Sequence, residues 1–131
     1  MSRGIIWFRN DLRLADNPAL TAALAAHDEV LPVLVVDPAQ HGPSPLGFER
    51  SGDFRRRFLH EGIRDLAAAL RAKGSALSVR VGEPAAVLFQ VATLWKADAV
   101  HAQCLYGWEE QQQERAVSAA LDLRLHAPST L

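Results

Sequence analysis

Gly4-Ile5-Ile6-Trp7-Phe8-Arg9-Asn10-Asp11-Leu12-Arg13 is the stretch from which the fold can be read. It opens as an unbroken apolar run and turns at Arg9 into a cluster of guanidinium, amide and carboxylate groups. A half-exposed strand would alternate, so this run predicts a strand buried on both faces, in the middle of a sheet. The polar cluster then falls at the strand's carboxyl end, the edge at which open α/β sheets bind their ligands. Spacing alone leaves two readings open. Arg9, Asn10 and Asp11 face a ligand, or Arg9, Asp11 and Arg13 form a solvated turn of local charge pairs behind two packing aromatics.

Outward from that strand, Asn17 before Pro18 marks a helix start, with Leu20, Ala23, Leu24 and His27 at helical spacing. Glu29 to Val36 is a second apolar run, hence a second central strand, with Pro32 its one flaw. From Asp37 to Arg50 prolines, glycines and a serine make a loop longer than a usual connection. Ser51 then reads as the cap of a long helix ended by Gly74, with Phe54, Phe58, Gly62, Ile63, Leu66 and Leu70 on one apolar stripe. Leu77 to Val81 alternates, as an edge strand does. Pro84 opens a helix through Val87, Leu88, Val91 and Trp95. Asp98 to Ala102 is a short fourth strand, Gln103 to Gly107 a loop, and Trp108 onward a helix rich in Glu and Gln. Leu121 to Leu125 alternates as a second edge.

Strands alternating with helices predict an α/β fold, a three-layer, Rossmann-like, doubly wound sheet of five parallel strands. Two buried early strands and alternating third and fifth strands give the order 3-2-1-4-5. With right-handed crossovers the order reverses between strands 1 and 4, and the ligand crevice opens between their carboxyl ends. That step brings Arg9, Asn10 and Asp11 beside the segment from Cys104 to Glu110, about ninety-five residues away in sequence.

With 131 residues the chain is expected to be one domain, 1–131. It is 49% hydrophobic and 22% charged, an ordinary globular balance. A net charge of -1, with Arg55-Arg56-Arg57 the only basic run, argues against direct nucleic-acid binding. A lone cysteine, Cys104, excludes an internal disulfide and fits a reducing compartment. Without a stretch of membrane-spanning length or a secretory leader, the expectation is a cytoplasmic protein with no membrane contact.

The chain has no glycine-rich pyrophosphate loop, no Walker A sequence, no metal-spaced Cys/His cluster and no nucleophile elbow, so no catalytic constellation is expected. The five histidines stand singly and read as surface or satisfied residues. Glu109-Glu110 at a helix start is the remaining chemical feature. Such a pair can complement the helix macrodipole, or a carboxylate can accept two parallel N–H donors of a ligand such as a pterin. Spacing does not choose between them.

Trp7-Phe8-Arg9-Asn10-Asp11-Leu12-Arg13 with Asp16-Asn17-Pro18-Ala19-Leu20 resembles the N-terminal signature of the DNA photolyase and cryptochrome family. Phe48, Ser51-Gly52, Arg55, Phe58-Leu59, Glu61 and Asp65-Leu66, and Glu109-Glu110 with Glu114-Arg115 and Val117, resemble the DASH-type cryptochromes in particular. The resemblance runs over essentially the whole chain. It implies the N-terminal α/β domain of a blue-light-driven pyrimidine-dimer lyase or photoreceptor, which holds a light-harvesting antenna. That antenna is commonly methenyltetrahydrofolate, with a deazaflavin or FMN as the alternatives. By position Glu110 matches the family's pterin-contacting glutamate, with Glu109 beside it; Cys104, Arg9, Asn10 and Asp11, brought to the same crevice by the strand order and not by the resemblance, complete the expected site. FAD would sit only in the parent protein, in a helical domain expected to be absent from these 131 residues. Alone, the chain is expected to be inactive, and Trp7, Trp95 and Trp108 are not that domain's electron-transfer tryptophans. The implied partner is the helical domain, whose absence is expected to leave a face open to self-association. The competing expectation is a stand-alone nucleotide-binding module of the universal-stress or electron-transfer-flavoprotein kind, which would show a glycine-rich phosphate loop near the fourth strand; Gln103 to Trp108 offers only Gly107.

Overall fold

The computed structural model describes residues 2–9, 14, 17–37, 49–105 and 107–127, with backbone alone over 49–59. Five strands, β1 (Arg3–Phe8), β2 (Glu29–Val36), β3 (Ser78–Val81), β4 (Ala99–Gln103) and β5 (Leu123–His126), form one sheet in the order β3-β2-β1-β4-β5. All four pairings are parallel. Between the strands lie four described helices, α1 (Pro18–Ala26), α2 (Glu49–Ala72), α3 (Pro84–Trp95) and α4 (Trp108–Ala120). The strand order expected from burial patterning is the one found.

β1 takes the centre because every residue from Gly4 to Phe8 is buried. Its side chains alternate between two cores. Ile5 and Trp7 join Val33, Leu88, Val91, Val100, Ala102 and Val117 beneath α3 and α4. Ile6 and Phe8 join Ala19, Ala23, Leu34, Leu66 and Leu70 beneath α1 and α2. Pro32 is tolerated because β3 pairs with β2 only from Val33 onward, so the missing N–H lies beyond the end of that neighbour.

Local chemistry sets the helix starts. Asn17 caps α1, its side-chain oxygen accepting the Leu20 N–H at 3.1 Å, and Glu83 caps α3 by accepting from Ala85 and Ala86 at 3.0 and 2.9 Å. Both helices begin with proline, which has no N–H to leave unsatisfied. The start of α2 departs from expectation: the helix begins at Glu49, so Ser51 lies within it and is not its cap. The expected loop after Asp37 lies outside the described residues from 38 to 48. Among the described residues, no helix is long and apolar enough to cross a membrane.

Candidate functional site

At the carboxyl end of β1 the chain delivers Arg9 to the α3/α4 side of the sheet, directly at the β1/β4 reversal. Its guanidinium lies 4.6 Å from the centroid of the Trp7 ring. Nη1 donates to the Gln103 carbonyl at 3.2 Å and to Glu114 Oε2 at 2.5 Å. Nη2 donates to the Glu110 carbonyl at 2.9 Å and to Gln113 Oε1 at 3.3 Å. Glu110, Gln113 and Glu114 converge because positions three and four apart share one helix face. Glu114 Oε2 also accepts the Leu105 N–H at 3.0 Å, fixing the loop between β4 and α4. The Arg9 and Glu114 side chains are only 3% and 9% exposed. Arg9 therefore acts as a clamp: its four Nη–H donors are all directed to protein acceptors, and it fills the crevice in which a doubly wound fold would ordinarily seat a ligand.

The rim of that crevice is the start of α4. Gly107 occupies the cap position and offers no side-chain cap, while Glu109 and Glu110 stand in the first turn. Glu109 is exposed and Glu110 half-buried. The Glu110 carboxylate folds back over Gly107 so closely that a Cβ there would collide with it. Glycine is required for that placement, and the carboxylate gains from the unpaired N–H groups and positive end of the helix. Trp108 projects beside the pair, 74% exposed. Cys104 is a free, half-buried thiol whose backbone N–H donates to the His126 carbonyl at 2.8 Å. Of the expected site residues, Arg9, Cys104, Glu109 and Glu110 are thus brought to one sheet edge; Asn10 and Asp11 lie outside the described residues.

This rim offers acceptors. The segment Gln103–Glu110 carries two carboxylates and no Lys or Arg, and the neighbouring Arg9 is already engaged. Paired N–H donors on a flat heterocycle suit such a rim, with the Trp108 ring as an apolar wall. A phosphate would meet like charge there. No group of His, Cys, Asp and Glu suited to a metal ion occurs among the described residues.

A second polar cluster lies on the opposite face, and sequence reasoning missed it. His101 on β4 is 2% exposed and pairs in register with Ile6, on the α1/α2 side. Its Nε2 lies 2.9 Å from His27 Nε2 and its Nδ1 lies 3.0 Å from His126 Nε2. His27 reaches it because Gly4 has no side chain: a Cβ on Gly4 would run into the His27 ring. Burial, reinforced by the neighbouring His27 and His126, pushes the His101 imidazole down to about 4. Burial, then the Arg124 charge, lowers His126 as well. Three of the five histidines, which in the sequence stand singly, thus meet one another; His60 is exposed and His41 lies outside the described residues.

The protein-family model described as DNA photolyase matches residues 4–130. Cryptochrome DASH of Natronomonas pharaonis is 41% identical over 122 residues, covering 93% of this chain and 26% of that protein. The chain thus spans about a quarter of that relative's length. The crystal structure of a Synechocystis sp. cryptochrome superposes with a TM-score of 0.91 at 30% identity, over 100% of this chain and 28% of the other. An archaeal photolyase from Sulfolobus tokodaii, solved with two FAD molecules and described as implying a novel light-harvesting cofactor, gives a TM-score of 0.81 at 30% identity, over 96% of this chain and 29% of its own.

Proposed function

The chain belongs to the DNA photolyase family, and from that membership we propose that it is the antenna-binding α/β domain of a DASH-type cryptochrome or photolyase, with methenyltetrahydrofolate as the antenna. When bound, that group absorbs light and passes its excitation to a flavin. Glu110 accepts paired N–H donors of the pterin, Glu109 adds negative charge at the same edge, and Trp108 shields one side. Arg9 does not touch the ligand; through the Glu110 carbonyl and Glu114 it fixes the turn that carries the carboxylate. The observation carrying this reading is the acceptor-rich start of α4 at the β1/β4 reversal, beside a guanidinium whose four Nη–H donors are already directed to protein acceptors. The same observation disfavours a nucleotide-binding module.

In this reading, FAD and the helical domain that holds it belong to the longer parent protein and lie against the carboxyl-end face where Trp108 is exposed. The chain by itself then retains no FAD and repairs no pyrimidine dimers, and its uncovered face favours self-association. A reducing, cytoplasmic setting suits the free thiol of Cys104. The test is a fluorescence titration with methenyltetrahydrofolate, in this chain and in a version joined to a helical FAD domain, comparing wild type with Glu110→Gln. Replacing one acceptor oxygen with a donor strands a ligand N–H and costs about 2–3 kcal/mol, roughly a thirty- to hundred-and-forty-fold loss of affinity. Equal affinities would reduce Glu109 and Glu110 to a helix-end charge pair.

A further inference from the structure

On the α1/α2 face four side chains from four segments are joined end to end: Ser2 Oγ to His27 Nδ1 at 2.7 Å, His27 Nε2 to His101 Nε2 at 2.9 Å, and His101 Nδ1 to His126 Nε2 at 3.0 Å. Each N···N contact is a hydrogen bond only when one proton lies between its two nitrogens. A neutral imidazole carries one N–H and an imidazolium two. With all three rings neutral, choosing one tautomer fixes the rest. If Ser2 donates to His27 Nδ1, His27 Nε2 donates to His101 and His101 Nδ1 donates to His126; the opposite polarity reverses every bond.

The same geometry limits the charge. The two contacts hold two protons, and the outer nitrogens, His27 Nδ1 and His126 Nδ1, hold at most two more. Four protons on three rings is one above neutral. In that state His27 Nδ1 donates to Ser2 Oγ and the chain stays closed. A fifth proton puts N–H against N–H at one of the two contacts, and that bond is lost.

We propose that Ser2, His27, His101 and His126 form one proton-counting chain that keeps β5 on β4 while it holds no excess proton or one, and releases β5 when a second arrives. The surroundings make the His126 end yield first. His27 is wedged over Gly4 and held by Ser2, whereas His126 ends an edge strand of four residues with Leu125 exposed. Two carboxylates favour a proton on the chain: Asp98 at the His27 end, where it also meets the Ser2 side chain, and Asp122 near His101, the latter opposed by Arg124. α1 carries no titratable side chain and β1 only Arg3. Glu61, Arg64, Asp65 and Arg71 of α2 are exposed. On the β5 side Arg124 is paired with Asp122 at 3.2 Å. Near Ser2, Asp28 accepts the Ser2 N–H at 3.0 Å and Asp98 the Arg3 N–H at 2.9 Å. Release of β5 reaches the opposite face, because the Cys104 N–H is held by the His126 carbonyl at the start of the loop that leads to α4.

The test is a pH titration of the chain labelled with nitrogen-15 histidine, reading ring tautomers by NMR and β5 amide protection by hydrogen exchange. The expected result is that His27, His101 and His126 report a common first titration. A second follows at lower pH, separated by about one unit or more, and coincides with loss of protection over Leu123 to Leu125 while Ile5 to Phe8 stay protected. In His101→Leu the outer rings titrate independently and β5 protection no longer changes with that step; should this variant not fold, Ser2→Ala is expected to shift the His27 tautomer populations and with them those of His101 and His126. Three independent titrations in the wild type, or β5 loss at the same pH in wild type and His101→Leu, would overturn the proposal.

Discussion

The two faces of the sheet solve the problem of buried polarity in opposite ways. Beneath α4 the fold encloses a full ion pair: Arg9 and Glu114 are both charged, nearly inaccessible, and tied to the Gln103 and Glu110 carbonyls, the Gln113 amide and the Leu105 N–H. Beneath α1 it encloses one imidazole, His101, held in the neutral form. A buried charge is tolerable only when every donor and acceptor around it is met. Arg9 has acceptors for all of its Nη–H groups, supplied by one helix face and one strand end. His101 has two partners that are themselves histidines, so its surroundings can match a hydrogen-bond pattern but not a fixed charge. The histidine chain should therefore respond to mild acid.

The largest effect that would break this contrast is expected at Arg9. Arg9→Ala leaves Glu114 buried without its cation and should cost about 3–5 kcal/mol in urea unfolding, whereas Arg9→Met with Glu114→Leu should recover much of the loss. A single-variant cost below about 1 kcal/mol would place the pair among surface ion pairs and remove one side of the comparison.

Acidification sharpens the other side. His101 is lowered from its ordinary 6.5 to about 4, so the unfolded chain binds a proton in this window that the folded chain refuses. The stability this provides is complete above about pH 6.5 and is lost as pH falls toward about 4; allowing for screening it amounts to about 2 kcal/mol. Urea midpoints should fall over that range in the wild type and flatten there in His101→Leu. A parallel fall in both would assign the acid sensitivity elsewhere.

A smaller effect is expected at Gly4. Gly4→Ala forces the His27 ring from its seat, with a cost of about 1–2 kcal/mol of overpacking. In His27→Ala the same glycine substitution should be close to neutral, so a double-mutant cycle reads the coupling directly. Additive costs would mean that Gly4 serves the strand and not the chain of rings.

The contrast also explains what was legible in the sequence. β1 and β2 announce themselves as unbroken apolar runs and the edge strands as alternations, because burial on two faces or one is written residue by residue; the parallel order follows from that difference. Pro18 and Pro84 mark helix starts for an equally local reason. Glu109 and Glu110 could be placed at the crevice because both sit on one element. The Arg9 clamp could not be read in this way: its partners lie 94 to 105 residues away, and a guanidinium at a strand end looks the same whether it will meet a ligand or a buried carboxylate. The histidines are likewise 74 and 25 residues apart. The one local clue was Gly4, a small residue in an otherwise bulky strand, whose missing Cβ makes room for a ring. Ser51 shows the converse, a sound capping residue two positions inside a helix that starts earlier.

The span bridged by Arg9 has a consequence for the time course of folding. Its acceptors belong to β4 and α4, so the guanidinium has nothing to bind until about a hundred residues have been gathered and β4 has docked. Contacts of such sequence separation, made by side chains that interlock only at the end, belong to the steps after the folding barrier. Removing the clamp should leave the refolding rate nearly unchanged and speed unfolding, so Arg9 sets how long the sheet's carboxyl edge, once closed, stays closed.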